Sequence, residues 1–310
     1  MKKIAVLCTL FLALTFTACS NEKNADSPIQ HIVSALPAIG AGSVAQATSV
    51  YTDSDGDKAV IPAKFRVSGK AGEQRVRTGL VVIGEDGSEF VWVPVLRDTF
   101  ASDRFSARGF FDETDSVEFK AMRASAEKYG GFYIGRYEAS RGAGDIPQSK
   151  RAQASDIWVH IPPLQMIEAC KRLYADNAVV TVFLPWGITW DRTLEWLVET
   201  GCKTEKEVAT DSTSWGNYAN NRFKSRDYAA TGAHEETRAN NFYDLAGNFW
   251  EWTQERTAGG GYAARSGGYS IMGGACNGNY YPAAVRSGLS ANDHHPNIGF
   301  RLAMYINEET

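Results

Sequence analysis

All eight tryptophans of this 310-residue chain lie between Trp92 and Trp252, and beyond residue 201 the regular hydrophobic periodicities thin out. Gly, Asn, Ser, Tyr and Trp dominate from there to the end. Large rings have to be buried, yet little of this half reads as helix or strand. Such a chain folds as short elements carrying long ordered loops, with the aromatic rings pinning the loops down. Long structureless connections inside a compact domain are usually functional. At 44% hydrophobic and 12% aromatic, the chain has material for a sizeable core and is too apolar for wholesale disorder.

The first half is more regular. Val50-Tyr51 and Ala59–Ile61 read as strands around Asp53-Ser54-Asp55-Gly56-Asp57. An EF-hand loop would need Gly and Glu where Lys58 and Lys64 stand, so an Asp-Gly hairpin turn is the better reading. Leu80–Ile83 and Phe90–Val93 flank a second turn at Glu85–Ser88. Residues 116–129 read as a helix, with Ser116 as cap, Phe119, Met122, Ala126 and Tyr129 on one face, and Gly130-Gly131 as the stop. Phe132–Tyr137 reads as a strand leading into Glu138. Further helices are expected at 162–174 and 189–200.

The N-terminus reads as a secretory signal: Lys2 and Lys3, an apolar run from Ile4 to Phe16 too short to span a membrane, then small residues before Cys19. Leu14–Cys19 resembles a bacterial lipobox, which implies cleavage after residue 18 and lipidation of Cys19. Ser20 is not the Asp that would argue for inner-membrane retention, so the expectation is an outer-membrane lipoprotein, surface-exposed or facing the periplasm. Residues 19–48 read as a tether, with a short helix around Ile29–Leu36 as the alternative for part of it. A flexible chain of that length holds a domain on the order of 30 Å from its anchor. Residues 49–310 then form one domain. The net charge of −4 becomes two units more acidic once Lys2 and Lys3 are removed, and no basic run exists, so a nucleic-acid partner is excluded. Cys170, Cys202 and Cys276 remain, as one disulfide plus a free thiol or as three buried thiols.

Catalytic patterns are missing. There is no GxSxG elbow, Gly259-Gly260-Gly261 lacks the lysine and helix of a phosphate loop, and His31, His160, His234, His294 and His295 show no metal spacing. The most specific segment is Tyr243-Asp244-Leu245-Ala246-Gly247-Asn248-Phe249-Trp250-Glu251-Trp252. It reads as a tight turn at Gly247-Asn248 and a strand with buried tryptophans. Its acid needs a partner. Calcium suits oxygen ligands, and an arginine such as Arg301 is the other choice.

This segment resembles the GN-x-W-E-W signature of the formylglycine-generating enzyme (sulfatase-modifying factor) family, a variant of the C-type lectin fold. Leu184-Pro185 with Trp190 and Glu195-Trp196, Arg265–Tyr269 and Asn297–Arg301 resemble further motifs of that family, over about residues 90–305. The resemblance implies an α+β domain of the C-type-lectin-like, formylglycine-generating-enzyme-like kind, with short strands, two or three helices and long ordered loops. It implies a structural calcium held by Asp244, Gly247, Phe249 and Glu251. The oxidases of the family hold copper with two cysteines. Here Met272 stands at the first position and Cys276 lies near the second, so no copper and no oxidase activity are expected.

Thr213–Tyr218 and Tyr243–Asn248 resemble the lectin-fold variable proteins of diversity-generating retroelements. In those, adenine-directed rewriting turns Asn codons into Tyr, Asp, His, Ser, Ile, Gly or Cys. The stretch from Tyr269 to Asn297 carries that composition, and Tyr with Asn and Ser also suits a binding surface. The expectation is a non-catalytic, lipid-anchored cell-surface protein binding a protein or glycan. Its ligand-facing residues would be Tyr269, Ile271, Asn277, Asn279, Tyr280, Tyr281, Asn292, Asp293, His294 and His295, on a frame that includes Trp250, Trp252, Gly267, Gly268, Phe300 and Arg301. A copper oxidase and an envelope lectin are the alternatives.

Overall fold

A computed structural model describes residues 33, 35–95, 100, 104–220, 227–271 and 274–307. The stretch read as a secretory signal, Cys19 and Met272 lie outside these residues. Strands β1 (Ala38–Ile39), β2 (Ser49–Thr52) and β3 (Lys58–Ile61) form a small sheet. The β2–β3 connection is the Asp-Gly turn read from the sequence. Asp53 Oδ1 accepts the amides of Asp55 and Asp57 at 2.8 and 3.0 Å, and Oδ2 accepts that of Val76.

The expected boundary at residue 48 is corrected. β1 pairs in parallel with β2, the Gly42 amide donates to the Val67 carbonyl, and Ala45 is buried. Residues 38–48 therefore belong to the folded unit rather than to a tether. A two-residue strand has no period to detect, which is why composition alone read this stretch as linker.

The main sheet is built from β4 (Arg66–Val67), β5 (Val81–Ile83), β6 (Glu89–Pro94), β7 (Phe110–Phe111), β8 (Gly131–Glu138), β11 (Val180–Phe183), β12 (Trp250–Thr257), β13 (Tyr262–Arg265), β16 (Ser287–Leu289) and β17 (Ile298–Ile306). Two short hairpins stand apart from it: β9 (Ser140–Arg141) with β10 (Pro147–Gln148), and β14 (Ser270–Ile271) with β15 (Gly274–Ala275). The strand order is β16-β13-β12-β17-β8-β6-β5-β4, with β7 on β12 and β11 on β17. All nine residues of β17 are buried. It runs antiparallel to β8, parallel to β12 through Ile298–Phe300, and antiparallel to β11 through Ala303–Ile306.

Helix α1 (Val117–Tyr129) has the expected cap. The Phe119 amide donates to Ser116 Oγ, and Gly130 closes it in the left-handed region at φ 78°. Helix α2 (Pro163–Arg172) stops before the expected residue 174, because Leu173 is extended and Tyr174 has φ 61°. Helix α3 (Gly187–Glu199) starts earlier than expected. Trp186 offers no capping oxygen, so Asp112 supplies one from β7's flank, accepting the Gly187 and Ile188 amides at 2.8 Å each. The short α4 (Glu205–Ala209) opens with a capping box between Thr204 and Glu207. Helices and mixed sheet together give the expected α+β class. Among the described residues no helix is long and apolar enough to cross a membrane.

Candidate functional site

The loops of the last third are fixed from beneath by buried polar groups. Arg301 in β17 is fully buried. Its Nε and Nη2 donate to the two carboxylate oxygens of Glu251 at 3.0 and 2.8 Å, Nη1 donates to the Gly135 carbonyl, and Nη2 also reaches the Tyr243 carbonyl. Asn248, at φ 60°, knits the same layer together. Its amide donates to Glu138 Oε2 at 2.6 Å, and its oxygen accepts from Asn217 and the Ala229 amide. Glu138 also accepts the Phe249 amide at 3.0 Å. Burial pushes the Glu138 carboxyl well above its usual range, the charges of Asp244 and Glu251 adding to it, and burial raises Asp244 and Glu251 as well.

The calcium set implied by the resemblance does not fit this arrangement. Both Glu251 oxygens face a guanidinium, Asp244 Oδ2 accepts from Thr231 Oγ1 and the Gly232 amide, and the Gly247 carbonyl accepts from Ser266 Oγ at 3.0 Å. A cation here would have to displace Arg301, whose fixed positive charge already does the neutralising. Arg301, the alternative partner left open by the sequence, is the one used. Among the described residues no group of three or more His, Cys, Asp or Glu side chains could hold a metal.

Above this layer the chain turns sharply at Ser266-Gly267-Gly268, with φ of 78°, 80° and 36°. A Cβ added at Gly267 would stand 1.9 Å from the Tyr281 carbonyl oxygen, and one at Gly268 would stand 2.2 Å from the Trp250 ring. Only glycine permits these approaches. The 276–281 loop is in turn tied to the 212–220 loop. The Ser212 amide donates to Gly278, the Ala219 amide to Cys276, and the Gly278 amide to Asn220 Oδ1.

The ten expected ligand-facing residues divide. Tyr280 is 71% exposed, and Asn279, Asn292 and His294 are also exposed. Tyr281 is half-buried, and its ring meets Trp250 edge-on at 5.7 Å. Tyr269 leans on Tyr228 at 5.7 Å, Asn277 is half-buried, and the Ile271 side chain lies outside the described residues. Asp293 turns back to accept the Ser290 amide at 2.8 Å, and the half-buried His295 gives its carbonyl to the His160 amide. The β14–β15 hairpin links the two exposed groups. Buried Asn297 donates to the Ser270 carbonyl at 2.7 Å, and the Cys276 amide donates to Tyr269.

Sequence reasoning missed the floor beside Tyr280. Asn279 and Tyr280 border a groove of about 550 Å³ whose walls include Phe105, Phe110, Pro282 and Val285, with Ala209 and Thr210 at the end of α4. No linear signal connects residues 105–110 to 280; the pairing of β7 with β12 and the Arg286 hydrogen bond to the Phe105 carbonyl bring them near. Beneath the groove Arg286 and Arg265 each bridge Asp191 and Glu255, over 2.5 to 3.1 Å. Burial pushes nearby Asp112 up to about 7, with the charges of Glu255 and Asp191 adding to the effect.

Cys170, Cys202 and Cys276 are all free thiols, which settles against a disulfide among them. Cys276 is buried beside Trp250, and burial pushes its thiol up to about 11, so it is protonated at neutral pH. A two-thiolate copper site does not fit these residues.

Residues 192–306 match the family model of the sulfatase-modifying factor enzyme 1-like domain, which bears out the resemblance read from the Trp250 segment and the Ile298–Arg301 end. No curated protein matches. Among solved structures the chain is similar to variable protein 1 of Treponema denticola at 14% identity, covering 69% of this chain and 95% of that one, with a TM-score of 0.41. It is similar to CarF at 16% identity, over 57% and 87% of the two chains, with a TM-score of 0.42. PvdO from Pseudomonas aeruginosa shares 14% identity over 73% and 97%, with a TM-score of 0.39.

Proposed function

We propose that this chain is a non-catalytic binding protein that displays exposed loop residues on a rigid frame, held to the bacterial outer membrane by a lipid on Cys19. The observation that carries the reading is Tyr280. It is the most exposed ring among the described residues, and it stands on a loop whose backbone is locked on both sides, at Gly267 and at Thr213. A large, half-apolar side chain left in water on a rigid support loses little entropy when it is covered. Exposed Asn279 beside it, and exposed Asn292 and His294 further along the same stretch of chain, supply adaptable hydrogen bonds. The partner is a protein or glycan met at the cell surface, with the chain before residue 33 serving as the spacer.

The test is photo-crosslinking in intact bacteria, with benzoylphenylalanine placed at Tyr280 or, as control, at exposed Lys120 on α1. A discrete adduct from position 280 that is absent at 120 and lost in an Asn279→Ala/His294→Ala background supports the reading. Equal labelling at both positions contradicts it. So does conversion of a sulfatase-type cysteine peptide by the purified protein supplied with copper and oxygen, which would return the chain to the oxidases.

A further inference from the structure

A second concavity owes nothing to the 269–297 face. It is a cavity of about 230 Å³, and none of those residues lines it. Its walls are Ile167 from α2, Val182 and Phe183 from β11, Trp186, Tyr262 from β13 and Tyr305 from β17. All sit on or beside regular elements, and their rings are held by neighbours. Phe183 and Tyr305 lie 5.7 Å apart, and Trp186 meets Phe119 edge-on at 5.3 Å. A preformed apolar cavity of about 150 Å³ is enough to stay dry and admit a benzene-sized guest. The volume here suits one or two fused rings.

Its polar groups specify more. Thr181 Oγ1 is engaged with Asn307 Oδ1 at 2.8 Å. Gln254 lines the cavity; one of its two Nε2 hydrogens is committed to the Leu184 carbonyl at 2.8 Å, and its amide oxygen is an acceptor for a guest's donor. The charges around the mouth neutralise one another: Lys171 with Glu118 and Glu168, and Glu113 with Arg256, which lies 4.0 Å over Tyr262. A charged guest gains no unpaired counter-ion there. Independently, three of the five exposed large hydrophobic residues among those described border this mouth in space or in sequence. Leu164 lines the cavity, Val117 stands between lining residues Ser116 and Glu118, and Phe111 precedes Glu113 by two. An exposed apolar side chain at the rim of a preformed, largely apolar cavity is what a small-molecule site presents.

We propose that this cavity binds a small neutral aromatic molecule with one hydrogen-bond donor, of the indole or phenol type, its ring between Trp186 and Tyr305 and its donor on the Gln254 amide oxygen. The experiment titrates the purified protein with indole, phenol and toluene by ligand-observed NMR, and soaks crystals with 5-bromoindole. Indole and phenol bind saturably, and toluene, which lacks the donor, binds about five- to tenfold more weakly. Gln254→Leu erases that preference. Ile167→Phe, which fills the cavity, abolishes binding of all three, while Tyr280→Ala leaves it intact. The bromine peak lies within the cavity. Absence of saturable binding in the unmutated protein, a bromine peak elsewhere, or no preference over toluene overturns the proposal, and none of these results bears on the Tyr280 face.

Discussion

Arg301 shows how one side chain replaces an expected ion. It lies at the end of a motif legible in the sequence, and its pairing with the buried acid is one of the two choices the sequence leaves open, because a lone arginine in a strand does not say which carboxylate it meets across the sheet. The structure gives it Glu251 on two oxygens and two backbone carbonyls. Removing the guanidinium would leave Glu251, Glu138 and Asp244 buried without the cation that all three share. Arg301→Met should cost about 3–5 kcal/mol, read as a fall in the urea midpoint without a change in slope. EDTA should leave the melting temperature of the native protein unchanged.

At the scale of elements, legibility followed periodicity. The helix at 117–129, the hairpin around Gly56 and the β5–β6 pair carry period and turn chemistry in their own residues, so they were read almost as they stand. β1 and β14–β15 are too short to show a period, and β17 is buried throughout, so no alternation marked it. The start of α3 was missed for another reason: its cap is Asp112, remote in sequence from Gly187. That cap gives a pH prediction. The folded-state pKa of Asp112, about 7, lies above the usual carboxylate value, so the native state holds a proton the unfolded chain releases. Its contribution to stability is full below about pH 4 and is lost as pH rises through 7. Burial shifts Glu138, Asp244 and Glu251 in the same direction. Urea midpoints should therefore be higher at pH 5 than at pH 8. Because the Asp112 side chain keeps some contact with water, its share is of order 1 kcal/mol. Asp112→Asn should reduce the difference between the two midpoints, and an unchanged or reversed difference would contradict the assignment.

For the whole molecule, the candidate face was legible as composition and not as geometry. Ten residues were read together because they share a codon-like chemistry and a stretch of chain. Burial then separates them, since Tyr281 faces Trp250 while its neighbour Tyr280 faces water. The groove residues Phe105 and Phe110 were invisible because they enter from the other half of the chain. What results is a division of labour in which glycine turns, buried ion pairs and tryptophans hold the backbone, and a few exposed side chains are free to differ. Thermal unfolding of the combined Asn279→Ala, Tyr280→Ala, Asn292→Ala and His294→Ala protein tests that division most directly, beside the single Tyr281→Ala protein. The account predicts that four exposed changes together move the melting temperature by less than about 5 °C, and that Tyr281→Ala alone lowers it further than all four. A fourfold variant that melts lower than the Tyr281→Ala protein would place those side chains in the frame and contradict it.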